Sequence, residues 1–192
     1  MFTKSTYLVR ERVAMLKLTD TFDILDAETG QQVAVAQEKP GLFMKLLRLV
    51  INKRVLPTEV HIAPTPDAPP VITIRRGFTL FRSKVRVQDA DGQEIGFFRQ
   101  KLLTIGGAFN VFDTFGQQVA QIKGDWKGWN FKFLDAAGNE IGTVTKQWAG
   151  LAKEMFTSAD NYVINVAPGQ DPKAMNLLIA AGIAIDTIYK EA

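Results

Sequence analysis

One short pattern occurs four times in the chain, and it constrains the fold more than any other feature. In each copy an alternating, strand-like run leads to Asp, a short spacer and Gly, and a second run begins with Val or Ile. The copies are FDILDAETGQQVA (Phe22–Ala34), VRVQDADGQEIG (Val85–Gly96), FNVFDTFGQQVA (Phe109–Ala120) and FKFLDAAGNEIG (Phe131–Gly142). Because the Asp side chain accepts hydrogen bonds from a turn backbone and Gly supplies a positive φ, each copy is predicted to be a β-hairpin.

Five further runs have the composition of strands: YLVRERV, MLKL, EVHIA, VITIRR and NYVINV. Together with the hairpins they give about twelve or thirteen strands, which is typical of a closed barrel. A barrel of that size has a lumen too wide for its own side chains to fill. The sequence therefore predicts a mainly β fold, a closed antiparallel barrel of about twelve strands enclosing a helix, as a single domain over residues 1–192.

The predicted occupant of the lumen is the apolar stretch MNLLIAAGIAID (Met175–Asp186). Asp171 followed by Pro172 forms a helix start, so a helix is predicted over 172–190. Its middle has no polar face, and such a helix in a soluble protein must be enclosed on every side. It is shorter than the roughly 20 apolar residues of a membrane span, and the Asp186 carboxylate is costly at membrane depth.

Composition excludes several kinds of active site. The chain has no cysteine and a single histidine, His61, for which no acid–base partner is evident in the sequence. Thiolate metal sites, cysteine nucleophiles and His-based triads are thereby excluded. Neither a nucleophile–base pair nor a phosphate-binding glycine loop is present, so we expect no enzyme and no cofactor. Strand packing explains Trp126, Trp129 and Trp148 more simply than nucleic-acid binding does.

Basic residues are concentrated in the middle of the chain. Between Lys39 and Arg86 ten lysines and arginines face two acids, whereas the whole chain carries only +3. Within this part, GLFMKLLRLVINKR is predicted to be a short basic amphipathic helix at 41–54. Either its apolar residues cover one open end of the barrel while its cations are solvated, or it lies in a lipid interface. The residues expected to form an anionic-lipid surface are Lys45, Arg48, Lys53, Arg54, Arg75 and Arg76.

The C-terminal part of the chain carries motifs of a known family. They are Lys146-x-Trp148-x-Gly150, Glu154, FTSADNY (Phe156–Tyr162) and the hydrophobic helix running into IDTIY. The stretch from Gly142 to Ala192 resembles the phospholipid scramblases, and the hairpin repeats are similar to those of the LURP-one-related proteins, which share a tubby-like fold with them. The resemblance implies a twelve-stranded barrel around a central helix and a membrane-linked role.

Calcium activation is not carried over with the resemblance. The scramblases have recurring carboxylates just before the helix. This chain keeps Asp160 but has Ser158 and Gly169 where two others are expected. Calcium affinity follows the charge and number of ligands, so we expect no metal site and regard Asp160 as a weak calcium candidate. Its simpler role is to order a turn.

Three functions stay open on the sequence alone. We favour a non-enzymatic, scramblase-like or LURP-one-related barrel that binds phospholipid head groups or a partner at a membrane surface. The alternatives are a scramblase that moves lipids between leaflets and a protein-binding scaffold without a lipid role. The N-terminus, MFTKSTYLVRERVAMLKL, lacks the unbroken apolar run of a secretory signal. We therefore expect a cytoplasmic protein, peripheral at the inner face of the membrane, with an anionic phospholipid surface as partner, an unknown protein partner and no nucleic acid.

Overall fold

A computed structural model describes residues 2–12, 19–47, 49–51, 55–78, 84–101, 107–125, 127–146 and 161–189. Within these ranges twelve strands form a closed barrel of antiparallel neighbours, and two helices accompany them. The strands are β1 (Thr6–Glu11), β2 (Thr21–Asp26), β3 (Gln32–Glu38), β4 (Thr58–Ala63), β5 (Ile72–Arg76), β6 (Lys84–Asp89), β7 (Glu94–Gln100), β8 (Ala108–Phe112), β9 (Gln118–Asp125), β10 (Asn130–Asp135), β11 (Glu140–Thr145) and β12 (Asn161–Val166). The helices are α1 (Leu42–Leu47) and α2 (Pro172–Tyr189). Each strand pairs with its neighbours in the chain and β1 closes onto β12, which confirms the predicted mainly β barrel with a C-terminal helix.

The four repeats form the hairpins β2–β3, β6–β7, β8–β9 and β10–β11, as predicted. In the second of them, Asp89 Oδ1 accepts hydrogen bonds from the backbone N of Asp91 at 3.1 Å and of Gln93 at 2.9 Å. Gly92 has a φ of 75°, the left-handed conformation that glycine adopts without strain. The Asp and the Gly of the repeat are therefore structural residues of the turn.

Because the strands are antiparallel, the two ends of the barrel differ in their connections. We call one end the turn end: it holds the four short turns, the β4–β5 connection and the entrance to α2. Its segments are 2–5, 26–31, 64–71, 89–94, 113–117, 135–140 and 167–173. We call the other end the loop end. At this end β3 is followed by α1, β5 ends at Arg76, and β6 begins at Lys84.

The helix α2 runs through the lumen from the turn end to the loop end. Asp171 Oδ1 caps its start by accepting hydrogen bonds from the backbone N of Lys173 at 2.8 Å and of Ala174 at 2.9 Å. Ile179 and Ile183 have no exposed surface, and a Cβ added at Gly182 would collide with the Ile164 side chain of β12. The structure therefore confirms that the barrel encloses this helix.

The helix predicted over 41–54 is shorter in the structure. The α1 helix covers Leu42–Leu47, turns follow at 49–51, and 48 and 52–54 lie outside the described residues. No residue of α1 is buried. A cover over the barrel end requires buried apolar side chains, so these six residues do not act as one.

Candidate functional site

A cavity of about 470 Å³ opens at the loop end, where α1 approaches the ends of β4, β5 and β6. Its volume lies within the range of small-molecule binding sites. Five cations line it, and among the described lining residues Glu59 is the one acid. The cations are Lys39, Arg75, Arg76, Lys84 and Arg86.

Two arginines on the outer barrel face stand directly opposite each other. Arg75 of β5 pairs in register with Arg86 of β6, and both are exposed. Like charges directly opposite each other repel and destabilise a sheet, and neighbouring acids or a bound anion reduce this repulsion. Lys84 lies two residues before Arg86 on the same face and adds a third charge.

Each of the two arginines contacts a neighbouring acid, Arg75 with Glu59 and Arg86 with Glu94. Glu59 accepts hydrogen bonds from Arg75 Nε at 3.1 Å and Nη2 at 3.3 Å, and Glu94 lies 3.6 Å from Arg86 Nε. His61 Nε2 is also 2.6 Å from Glu59 Oε1. Burial alone would raise the pKa of Glu59, but the hydrogen bonds from His61 and Arg75 outweigh it and hold the pKa below its ordinary value of 4.5. His61 therefore has a partner that the sequence interpretation missed.

Farther along the outer face of the barrel, aromatic rings contact the cations Lys84 and Arg99. The rings of Phe97 and Phe112 stack with centroids 4.8 Å apart. Lys84 Nζ lies 4.0 Å from the Phe97 centroid, and the Arg99 guanidinium lies 5.2 Å from that of Phe112. Such contacts are attractive because the ring face is negative. They fix the direction of Lys84 at the cavity edge without neutralising its charge.

Arg76 differs from its neighbour because it points into the barrel. It is buried, and its Nη2 donates to Thr58 Oγ1 at 3.0 Å across the β4–β5 pair. A buried guanidinium needs fixed partners, so Arg76 is part of the rim structure as well as of the cavity lining. The cavity thus has a buried cation on its inner side and exposed or half-buried cations on its outer side.

Only some of the residues expected to form the anionic-lipid surface lie close together in the structure. Arg75 and Arg76 line the cavity, while Lys45 is exposed beside it and lines a neighbouring cavity of about 310 Å³ that also contains Lys39. Arg48, Lys53 and Arg54 lie outside the described residues, as does Asp160. In the described part of the chain, no group of three or more His, Cys, Asp or Glu residues is placed to hold a metal ion.

The sequence prediction did not single out three cavity residues: Lys39, Lys84 and Arg86. All three lie in the stretch that was singled out for its net positive charge. What was missing was the strand register, because the pairing of Arg75 with Arg86 is a property of the folded sheet. Net charge therefore located the region, and only the fold located the site.

A surface of exposed apolar side chains adjoins the cavity. We call it the apolar patch; its members are Leu42, Phe43, Leu46, Leu49, Val50, Ile51 and Phe78. Phe43 is 68% exposed and Val50 is 87% exposed. Monomeric proteins rarely expose contiguous groups of large apolar side chains unless these contact a partner or a membrane. Three residues that contribute to the cavity region, Gly41, Met44 and Phe78, link it to the patch.

None of the described helices, α2 included, has the length and apolarity required to cross a bilayer.

Comparison with known proteins identifies a family. The family model described as Scramblase matches residues 13–192, nearly the whole chain. No solved structure matches the chain. The chain therefore belongs to the scramblase family.

Proposed function

We propose that the protein is a non-enzymatic barrel that binds anionic phospholipid head groups at a membrane surface, through the cavity at its loop end. The observation that carries the proposal is the opposed pair Arg75 and Arg86, which borders a cavity with Arg76 and Lys84. Guanidinium groups match the oxygens of phosphate with paired hydrogen bonds, so a phosphate bound by the two arginine side chains relieves their repulsion. The proposal places the protein as a peripheral component at the cytoplasmic face of a membrane.

The sequence-based surface extends the same proposal. Lys45 is exposed beside the cavity, and the sequence adds Arg48, Lys53 and Arg54 nearby in the chain. Each lysine or arginine close to an anionic surface contributes about 1 kcal/mol. We propose that these residues strengthen attachment to the bilayer while the cavity binds a head group.

Co-sedimentation with vesicles containing phosphatidylserine tests the proposal. The double variant Arg75→Gln/Arg86→Gln removes two charges and is expected to lose about 2 kcal/mol of binding, roughly thirtyfold in affinity. Its melting temperature should stay within a few degrees, because exposed ion pairs contribute little to folding. Wild-type binding should weaken as salt rises.

The chain offers a matched control for this variant. Lys123 of β9 and Lys132 of β10 are also an opposed, exposed pair, but neither lines the cavity. The variant Lys123→Gln/Lys132→Gln has the same net charge as the cavity variant and should keep most of the affinity. If the two double variants lose affinity equally, the protein binds through its net charge and the cavity is not the site. If the wild type does not sediment with the vesicles at low salt, a protein-binding role replaces the lipid role.

A further inference from the structure

Charge is distributed unequally between the two ends of the barrel. The seven segments of the turn end contain ten Asp and Glu residues against two lysines, Lys4 and Lys173. At the loop end, five cations line the cavity against one acid among the described lining residues, Glu59, and Lys45 of α1 is a further exposed cation. The barrel therefore has an electric dipole along its axis, and an anionic surface attracts the loop end and repels the turn end.

Most of the large exposed apolar side chains lie at the same end of the barrel as the positive charge. The apolar patch lies at the loop end, within and beside α1 and at Phe78. Near the turn end two large apolar side chains of the described part of the chain are exposed, Phe115 at 89% and Val119 at 39%, whereas the apolar patch has seven. Single exposed apolar residues are ordinary, whereas a group beside cations has the composition of a segment that lies in the lipid interface.

The hydrophobic helix α2 is not available for contact with lipid. Leu178, Ile179 and Ile183 are buried among barrel side chains, and Gly182 fits closely against Ile164. Releasing the helix exposes this surface and empties the lumen, so the inward-facing barrel side chains lose the helix against which they pack. Contact with a membrane has to use residues that are already at the surface.

We infer that the loop end docks on an anionic bilayer with α1 in the interfacial region. In this arrangement Phe43, Leu46 and Val50 contact acyl chains, while α2 stays in the barrel and the turn end points away from the membrane. The inference rests on the proposed function, because the cavity must face the head groups. It adds the orientation of the barrel and the segment that enters the lipid.

A lipid surface fits the apolar patch better than a second copy of the chain does. A twofold dimer through this patch brings each residue near its own counterpart or near its neighbours. Lys45 and the cavity cations border the patch, so such a dimer places cations against cations. A bilayer with anionic head groups offers the opposite charge next to an apolar interior.

The absence of cysteine in the chain permits a direct test. Phe43→Cys and Leu46→Cys, each labelled with an environment-sensitive fluorophore, place a probe on α1. Phe115→Cys places a comparison probe at an exposed phenylalanine of the turn end. On vesicles of phosphatidylcholine and phosphatidylserine we expect a blue shift and at least about a twofold rise in emission at 43 and 46, quenched by lipids labelled in the acyl chain. We expect no change at 115.

The outcomes separate this inference from the proposed function. If the labelled proteins sediment with the vesicles in a salt-sensitive manner but the α1 probes do not shift, head-group binding stands and insertion of α1 is overturned. If the probe at 115 shifts instead, the orientation is reversed. If no variant sediments, both proposals fall. Sedimentation equilibrium of the unlabelled protein gives a fourth outcome: a dimer dissociated by Phe43→Gln assigns the patch to a second copy and overturns the inference.

Discussion

The two ends of this barrel are built from the same strands and yet have different composition and chemistry. At the turn end, 90–93 and 136–139 are four-residue connections, and an Asp at the strand end binds the turn backbone. At the loop end the connection from β3 to β4 spans residues 39–57 and carries α1, with apolar side chains in water. At the turn end the Asp side chains bind the backbone of their own turns. At the loop end cations and apolar side chains are exposed and available to a partner.

The difference explains why the recurring Asp and Gly of the repeat are not among the residues of the proposed site. A tight hairpin turn requires particular residues at particular positions, so the same Asp and Gly recur in all four copies. Longer connections are not restricted in this way, and binding residues concentrate there. The features that predict the fold and the features that suggest the function therefore come from opposite ends of the molecule.

The largest effect is expected from Ala181→Arg, because α2 is the element that joins the two ends. Ala181 is buried in the lumen, beside Phe98 and Phe109. An arginine there introduces an unpaired charge and excess volume, each costing several kcal/mol, comparable with the stability of a whole domain. Thermal unfolding followed by circular dichroism should show no cooperative transition.

Ala90→Arg is the control for this variant, because Ala90 is exposed in the β6–β7 turn. It should melt close to the wild type. Removal of residues 172–192 should be as damaging as Ala181→Arg. A truncated chain that still melts cooperatively contradicts the role of α2 as the core of the barrel.

A smaller loss of stability is expected from Asp113→Ala at the turn end. Asp113 Oδ1 accepts hydrogen bonds from the backbone N of Phe115 at 2.9 Å and of Gln117 at 2.8 Å. Their loss should cost about 1 to 2 kcal/mol in the free energy of unfolding. Asp91→Ala is the control, because Asp91 joins its turn through its backbone N–H. A loss of vesicle binding in Asp113→Ala, with the fold intact, contradicts the division of roles between the ends.

At the loop end, Glu59→Gln is expected to strengthen binding. The variant removes the acid that holds Arg75 and thereby raises the net charge of the cavity by one, worth about 1 kcal/mol or roughly fivefold in affinity for anionic vesicles. Because the folded-state pKa of Glu59 is depressed, its ion pairs stabilise the fold above the ordinary value of 4.5 and are lost as the pH falls through the lowered pKa. The free energy of unfolding of the variant should therefore differ from that of the wild type at neutral pH and resemble it in acid. Equal vesicle affinity at neutral pH contradicts a role of Glu59 in restraining Arg75.

The smallest effect is expected from calcium. Millimolar calcium should leave the melting temperature unchanged, because Ser158 and Gly169 replace two expected carboxylates. A rise in melting temperature that disappears in Asp160→Ala shows instead that the site of the family is retained with other ligands. Magnesium at the same concentration controls for ionic strength.

Most of the fold could be predicted because it depends on local patterns. Alternation, the Asp and Gly of each turn and the Asp171 cap act over a few residues and are visible in the sequence. The sequence prediction placed Arg76 on the lipid surface beside Arg75, although the period that it shares with Ile72 and Ile74 on β5 indicates its inward direction. Glu59, two residues before His61 on the same strand face, was an equally available partner.

The rest depends on contacts between distant residues. The pairing of Arg75 with Arg86 requires the register of β5 on β6, which a hydrophobic pattern alone does not set to the residue. The sequence did not decide whether α1 is exposed, because a wide apolar arc usually packs against protein but is also found in segments that lie in a lipid interface. An apolar segment kept in water is a local conflict between sequence and structure, and such conflicts concentrate at functional sites.

Hydrogen exchange of backbone amides, measured with and without vesicles of phosphatidylcholine and phosphatidylserine, tests the central claim most directly. Docking through the loop end predicts slower exchange on binding in 39–47, 75–78 and 84–86, with no change in the turns 89–94, 113–117 and 135–140. The amides of α2 should exchange slowly in both conditions, because the helix stays in the lumen. Faster exchange in α2 on adding vesicles, or protection of the turns, contradicts docking through the loop end.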